Sequence, residues 1–215
     1  MSRVKIFAHG DRLSRIYPVS TAHLPRVGQD VDIIYTDDRT DPVWSADTEG
    51  SRGFIVRTWV STKQHRLDGV FAIDLQQCLL GSMNSAPASG FYGELRRPSV
   101  DFHLFRRAVF ETVAHEYFHL IQGWILILKT RDQNAMEQAY AAEQRHNERQ
   151  LLADDVRWFF KPEQLSFAAY VRNHFESSAR QMAQTAVKRL RHEIDCGTWD
   201  AILPIAKMKT LAKAA

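Results

Sequence analysis

The stretch Thr112-Val113-Ala114-His115-Glu116-Tyr117-Phe118-His119-Leu120-Ile121-Gln122 constrains this chain more than any other, because it places two histidines four residues apart with a glutamate between them. On an α-helix, positions four apart lie one turn distant on one face, so His115 and His119 can present two imidazole nitrogens to a single metal ion. Glu116 then sits beside the pair and not among the ligands. A catalytic zinc takes three protein ligands and keeps a fourth position for water, whose pKa falls to roughly 7, and a nearby carboxylate can accept its proton. With nine His and ten Glu in 215 residues, the chance expectation for His-Glu-x-x-His anywhere in the chain is roughly 0.02, so composition alone explains it poorly. The flanks strengthen the metal reading over that of an ordinary helix with two part-buried histidines and a solvated Glu. Phe102, Phe105, Val109, Val113, Phe118, Leu120, Ile121, Trp124, Ile125 and Leu128 make the segment apolar on nearly every side, the pattern of a core helix. Polar groups buried there without partners cost on the order of a few kcal/mol each, which coordination or hydrogen bonding removes.

At this length the chain forms one domain, or a compact domain with a small subdomain. A hydrophobic content of 45% marks it as globular, and a net charge of +3 is mild. The basic clusters at Lys188, Arg189 and Arg191 and from Lys207 to Lys213 read better as solvated helix faces than as a nucleic-acid surface, so no nucleic-acid partner is expected. Cys78 and Cys196 match no zinc or redox spacing, and the start Met1-Ser2-Arg3-Val4-Lys5 leads into no signal-peptide apolar run. The expectation is a reduced, cytoplasmic protein. Its longest apolar run, Trp124 to Leu128, falls far short of the ~20 residues of a membrane span.

The first hundred residues read as strands and turns. Val4 to Ala8, Asp30 to Thr36, Gly53 to Val60 and Gly69 to Leu75 are the candidate strands, the last two neighbours across a turn region from Lys63 to Asp68. Gly81 to Gly93 is a loop bordering the motif helix, which starts at a cap on Ser99 or Asp101 and runs to about Lys129. A second helix spans about Gln133 to Phe160, and Pro162 interrupts the pattern. A third continues from near Glu163 to about Ile194, stopped by Gly197, and Trp199 to Ala215 forms a short helix or loosely held tail interrupted by Pro204. The fold expected is α+β: a small, mostly antiparallel N-terminal sheet packed on a helical core with the motif helix central. Residues 1–98 would be its β-rich part, 99–195 the helical metal-site core and 196–215 a C-terminal tail, in one domain overall.

Two histidines leave a zinc site short of a third donor. Glu176 shares a helical stripe with Ala179 and Ala183, small residues that let its helix approach the motif helix closely; Arg172 and Arg180, four away on either side, instead offer it ordinary ion pairs. Glu143 falls roughly opposite His119 if the first two long helices form a hairpin turning near Arg131, although Gln144 to Glu148 around it look solvated. Asp200, in Gly197-Thr198-Trp199-Asp200, is the third candidate. The stripe geometry favours Glu176, and the other two stay open.

His-Glu-Tyr-Phe-His with Glu176 downstream resembles the gluzincins, zinc metallopeptidases whose motif is completed by a Glu on a later helix. In small bacterial and phage-borne members that helix tends to read Tyr-x-x-Asn-x-x-Glu-x-x-Ala-Arg-x-x-Ala, matched here by Tyr170, Asn173, Glu176, Ala179, Arg180 and Ala183. The resemblance covers about Phe102 to Leu190. It implies one zinc per chain held by His115, His119 and Glu176, Glu116 as general base, and a peptide or protein substrate. Tyr170 or His174 would help to stabilise the oxyanion. Arg180 stands where thermolysin-like members carry an Asp that supports a ligand histidine, so that support has to come from elsewhere. Gln122 and Ile125 replace the Gly and third His of metzincins. Gly197 to Asp200 mimics the aspzincin Gly-Thr-x-Asp, but the Tyr-Gly that should follow is Leu203-Pro204. A protein of another class, a binding or regulatory module that keeps the metal as a structural staple, is the alternative, and retention of Glu116 speaks for chemistry.

Overall fold

The computed structural model describes residues 2–5, 30–36, 52–61, 66–80, 82, 100–153 and 162–214. Among the described residues four strands come first: β1 (Ser2–Lys5), β2 (Asp30–Thr36), β3 (Gly53–Ser61) and β4 (Arg66–Asp74). They form one sheet in the order β1-β2-β4-β3. Antiparallel pairing joins β1 to β2, with Ser2 opposite Tyr35, and β3 to β4, with a register irregularity between Ile55 and Arg57. The central pair is parallel, from Asp30 opposite Asp68 to Thr36 opposite Asp74. Val70, Phe71, Ala72 and Ile73 of β4 are all buried. Such a continuous apolar run is what an inner strand covered on both faces requires.

Among the described residues six helices come after the sheet: α1 (Leu75–Leu80), α2 (Phe102–Thr130), α3 (Ala135–Ala153), α4 (Pro162–Arg172), α5 (His174–Asp195) and α6 (Ile205–Ala214). This corrects the expected fold class. The described chain is mostly helical, and its sheet is a minor element whose central pair runs parallel, where a mostly antiparallel sheet in an α+β fold was expected. β3 pairs along one edge of β4, and β2 pairs along the other edge, parallel to it. Residue patterns mark which segments are extended, but direction depends on the path between them.

The third helix is also corrected. Glu163 to Ile194 is two helices, because Asn173 adopts φ −59° and ψ 123° and caps α5, its side chain accepting from the Phe175 N–H at 3.0 Å. An Asn carboxamide that satisfies a free helix N–H competes with continuing the preceding helix. Residues 6–8 of the first candidate strand, 63–65 of the expected turn, 154–160 of the second helix and all of the loop from 81 to 93 except Ser82 lie outside the described residues, while Arg66 to Asp68, expected in that turn, belong to β4.

α2 is the helix on which the rest packs, meeting β3, β4, α1, α3, α5 and α6. Asp101 caps it, accepting from His103 N at 2.8 Å and Leu104 N at 3.2 Å, and Arg131 ends it in the left-handed region at φ 61°. Gly53 brings β3 against α2: a Cβ there would lie 2.7 Å from Thr112 Cγ2 and 2.9 Å from Ile73 Cδ1. One buried cluster runs from Ile33 and Tyr35 of β2 through Phe71 and Ile73 to Phe105, Phe110, Val113, Tyr117 and Trp124 of α2. It continues through Ala183 and Ala186 of α5 to Trp199, Ile202 and Met208. α5 buries Phe175, Glu176, Ala179, Ala183, Ala186 and Ile194, and from Glu176 to Ala186 these are spaced three to four apart along one stripe. Gly197, at φ +84°, closes α5 with Gly197 N bonded to Ile194 O and Thr198 N to Glu193 O, a Schellman turn that only a residue tolerating positive φ makes cheaply. Beyond it Trp199 packs edge-on to Phe110 with ring centroids 5.0 Å apart, and the buried Tyr35 hydroxyl donates to Ile202 O. Among the described residues no helix is long and apolar enough to cross a membrane.

Candidate metal centre

Halfway along α2, one helical turn brings the His115 and His119 side chains together. Their Nε2 atoms are 3.0 Å apart and their rings are nearly perpendicular, at 85°. Across from them α5 begins at the Asn173 cap, which sets Glu176 in its first turn, and the small Ala179 and Ala183 let that turn sit close to α2. Glu176 Oε1 lies 3.3 Å from His119 Nε2, and Oε2 lies 3.3 Å from His115 Nε2. The three residues form a group that can hold a metal ion, their donor atoms all within 4.8 Å of one another.

The spacing suits a small cation. Bonds of about 2.0–2.1 Å in tetrahedral geometry put neighbouring donors about 3.3–3.4 Å apart, close to the separations found here. Glu176 Oε2 is buried with His115 Nε2 3.3 Å away, and two imidazole Nε2 atoms face each other across a gap that one proton alone can bridge. A cation among the three would engage every one of these atoms. Glu176 and His119 are almost fully buried, and His115 keeps 17% of its side chain exposed. The group is therefore screened from solvent yet open on the His115 side.

Charge is distributed unequally over the site. Burial alone would raise the Glu176 carboxyl, but hydrogen bonding and charge from His115 and His119 outweigh it and hold the group well below the usual carboxylate range. For His119 burial opposes charging, and the hydrogen bond and charge of Glu176, together with Glu116 and Gln122, win, so its pKa is raised. Glu116 is buried beside the cluster. Desolvation and the charge of Glu176 push its pKa up, against the lowering effect of the two histidines. The two neighbouring carboxyls are thus shifted in opposite directions, Glu176 down and Glu116 up.

Three residues to which the sequence patterns assign no role complete the surroundings. Gln122, on the next turn of α2, has Oε1 2.8 Å from His119 Nδ1, and its Nε2 donates to Phe175 O at 3.2 Å and to Ser178 Oγ at 2.9 Å. Tyr140 of α3 donates its hydroxyl to Glu176 Oε1 at 3.0 Å. Asn173 is fully buried, and its Nδ2 reaches Tyr140 O at 3.4 Å. Gln122 carries a sequence signal, three residues after His119 on the same face. Tyr140 carries none, since nothing local ties it to Glu176.

The remaining candidates are elsewhere. Glu143 pairs with the exposed His174, 3.0 Å away, and that hydrogen bond holds its carboxyl below the usual range. Asp200 binds Arg106 at 3.2 Å near the end of α5. Neither joins the donor group. Tyr170 lies beside Glu176: burial and that carboxylate's charge and hydrogen bonding raise its hydroxyl above the ordinary range.

No family model matches this chain, and no similar curated protein or solved structure is found.

Proposed function

We propose that the chain is a zinc-dependent peptidase of the gluzincin type, in which His115, His119 and Glu176 hold the ion and Glu116 is the general base. The observation that carries this reading is the group of donor atoms from two separate helices, within 4.8 Å of one another, with a buried carboxylate of raised pKa next to it. A purely structural metal has no use for such a carboxylate. Zinc held there would polarise the scissile carbonyl and activate water near neutral pH.

The chain's own groups would do the rest. Glu116 accepts a proton from the attacking water and returns it to the leaving nitrogen, and its raised pKa brings it closer to the working pH for both transfers. Tyr140 keeps Glu176 in place through its hydroxyl, and Gln122 does the same for His119. Tyr170, neutral and beside Glu176, has the hydroxyl to donate to a developing oxyanion. Among the described residues the outer edge of β3 has no strand partner, and this strand approaches α2 at Thr112, one turn before His115. An extended peptide added along that edge would run beside the site.

Elemental analysis of the purified protein tests the ion: near-unit zinc in the wild type, lost in His115→Ala and Glu176→Ala and kept in Glu143→Ala and Asp200→Ala. In Glu116→Gln, zinc should stay while cleavage of an unstructured protein substrate stops. Loss of zinc from that variant counts against the base assignment. Wild type that binds zinc and cleaves nothing points to a binding or regulatory module.

A further inference from the structure

We propose that Gln122 is the positioning residue that sets the tautomer of His119, so that Nε2 presents a lone pair to the metal; this rests on the metal-site reading above. The assignment follows from hydrogen-bond polarity. Phe175 O is a backbone carbonyl and can only accept, so the end of the Gln122 carboxamide 3.2 Å from it is the NH2 group. The same NH2 donates to Ser178 Oγ at 2.9 Å, and that hydroxyl in turn lies 2.6 Å from His174 O, to which it donates. Every partner on this side of Gln122 therefore takes a proton from it.

Oε1 is left facing His119 Nδ1 at 2.8 Å, and a carbonyl oxygen there requires Nδ1 to carry a proton. A neutral imidazole protonated at Nδ1 has its free lone pair on Nε2, the atom that faces His115 and Glu176. One backbone carbonyl on α5 thereby selects the ligand atom on α2. Gln122 also supplies the support for a ligand histidine that Arg180, four residues after Glu176, cannot provide. Because Phe175 immediately precedes Glu176, the carbonyl that orients Gln122 belongs to the same helical turn as the third donor. Correct seating of α5 and correct orientation of His119 are one event.

A competing role is simpler: Gln122 only ties α2 to α5. Two substitutions separate the roles. Gln122→Glu keeps an acceptor oxygen for Nδ1–H and loses donation to Phe175 O, whereas Gln122→Ala loses both. Zinc affinity is measured by competition with a chromophoric chelator, and the His119 ring nitrogens are followed by 15N NMR in the zinc-loaded protein. Loss of such support to a ligand histidine typically weakens metal binding about 10–100-fold. We expect Gln122→Ala to weaken zinc at least tenfold and Gln122→Glu to remain within about threefold of wild type. Equal affinity in Gln122→Ala, or a loss in Gln122→Glu as large as in Gln122→Ala, overturns the proposal while leaving the metal site standing. If Gln122→Ala does not fold, the spectrum of the unsubstituted protein decides: a proton on Nδ1 and metal on Nε2 of His119 supports the assignment, and the reverse overturns it. Wild type that binds no zinc defeats the metal reading itself, and this inference with it.

Discussion

The Tyr140 hydroxyl donates to Glu176 Oε1 across 3.0 Å, linking α3 to the carboxylate that faces both histidines. Burial and the negative charge of Glu176 both raise the Tyr140 pKa, so the phenol stays protonated and remains a donor throughout the neutral range. A hydrogen bond to a charged acceptor contributes about 1.5–3 kcal/mol. Tyr140→Phe is expected to lower stability by about 1.5 kcal/mol and to loosen Glu176. The check is denaturant unfolding of the metal-free protein beside zinc titration. Unchanged midpoint and affinity would show that the hydroxyl contributes nothing.

Asn173 carries a second prediction. Its side chain caps α5 and so sets where the turn bearing Glu176 begins. Asn173→Ala removes the acceptor for Phe175 N–H and should cost about 1 kcal/mol, whereas Asn173→Ser, which keeps a neutral acceptor in this fully buried place, should cost less. Thermal unfolding of the two variants measures the difference. Zinc affinity should fall with the alanine and recover with the serine, because the cap acts on the site through the position of Glu176.

The motif and the third donor are legible in the sequence for different reasons. His115 and His119 are local: four residues along a helix always share a face. Glu176 is legible through its stripe, since Ala179 and Ala183 mark a surface that another helix can approach, and both are fully buried. Gly197 and Asp101 announce their caps in the same local way. What cannot be read depends on the path of the chain through space. The parallel pairing of β2 with β4, the reach of Tyr140 to Glu176 and the use of Phe175 O by Gln122 all join residues distant in sequence. Asn173 belongs to the stretch that resembles the gluzincin helix, and yet its effect on the backbone is hidden there. Apolar spacing carries on across it, and only the side-chain bond to Phe175 N reveals the break.

The titration directions predict how metal-free and metal-loaded protein diverge with pH. Glu176 has a lowered pKa, so its contribution is present above the unfolded value of about 4.3 and is lost as pH falls through the folded value below the usual range. His119 has a raised pKa, so its contribution is present below about 6.5 and is lost as pH rises through its folded value. In the metal-free protein the interaction between them is strongest from roughly pH 4.3 to 6.5. The stability difference between wild type and Glu176→Gln should peak there. Ligation needs neutral imidazole, so the rise in Tm on adding zinc should grow from about pH 5.5 to about 7.5. A zinc effect that is flat or shrinking over that range contradicts ligation by the histidines.

Asp200 and Arg106 give a prediction in which stability and metal content part company. Arg106 is 7% exposed and donates to Asp195 O at 2.8 Å and to Asp200 Oδ2 at 3.2 Å. Asp200→Asn removes the carboxylate charge and leaves a nearly buried guanidinium with the backbone carbonyl as the stronger of these two partners. Losing a partner of this kind costs about 1–3 kcal/mol, and the lower end applies because the Asp200 side chain is 38% exposed. The variant should therefore unfold at lower denaturant while binding zinc with wild-type stoichiometry and affinity. Arg106→Met tests the same pair from the other side: it deletes the buried charge together with its donors, and it should destabilise less in the Asp200→Asn background than alone. Zinc lost from Asp200→Asn at a temperature where the protein is still folded would make Asp200 part of the site, against the arrangement of His115, His119 and Glu176.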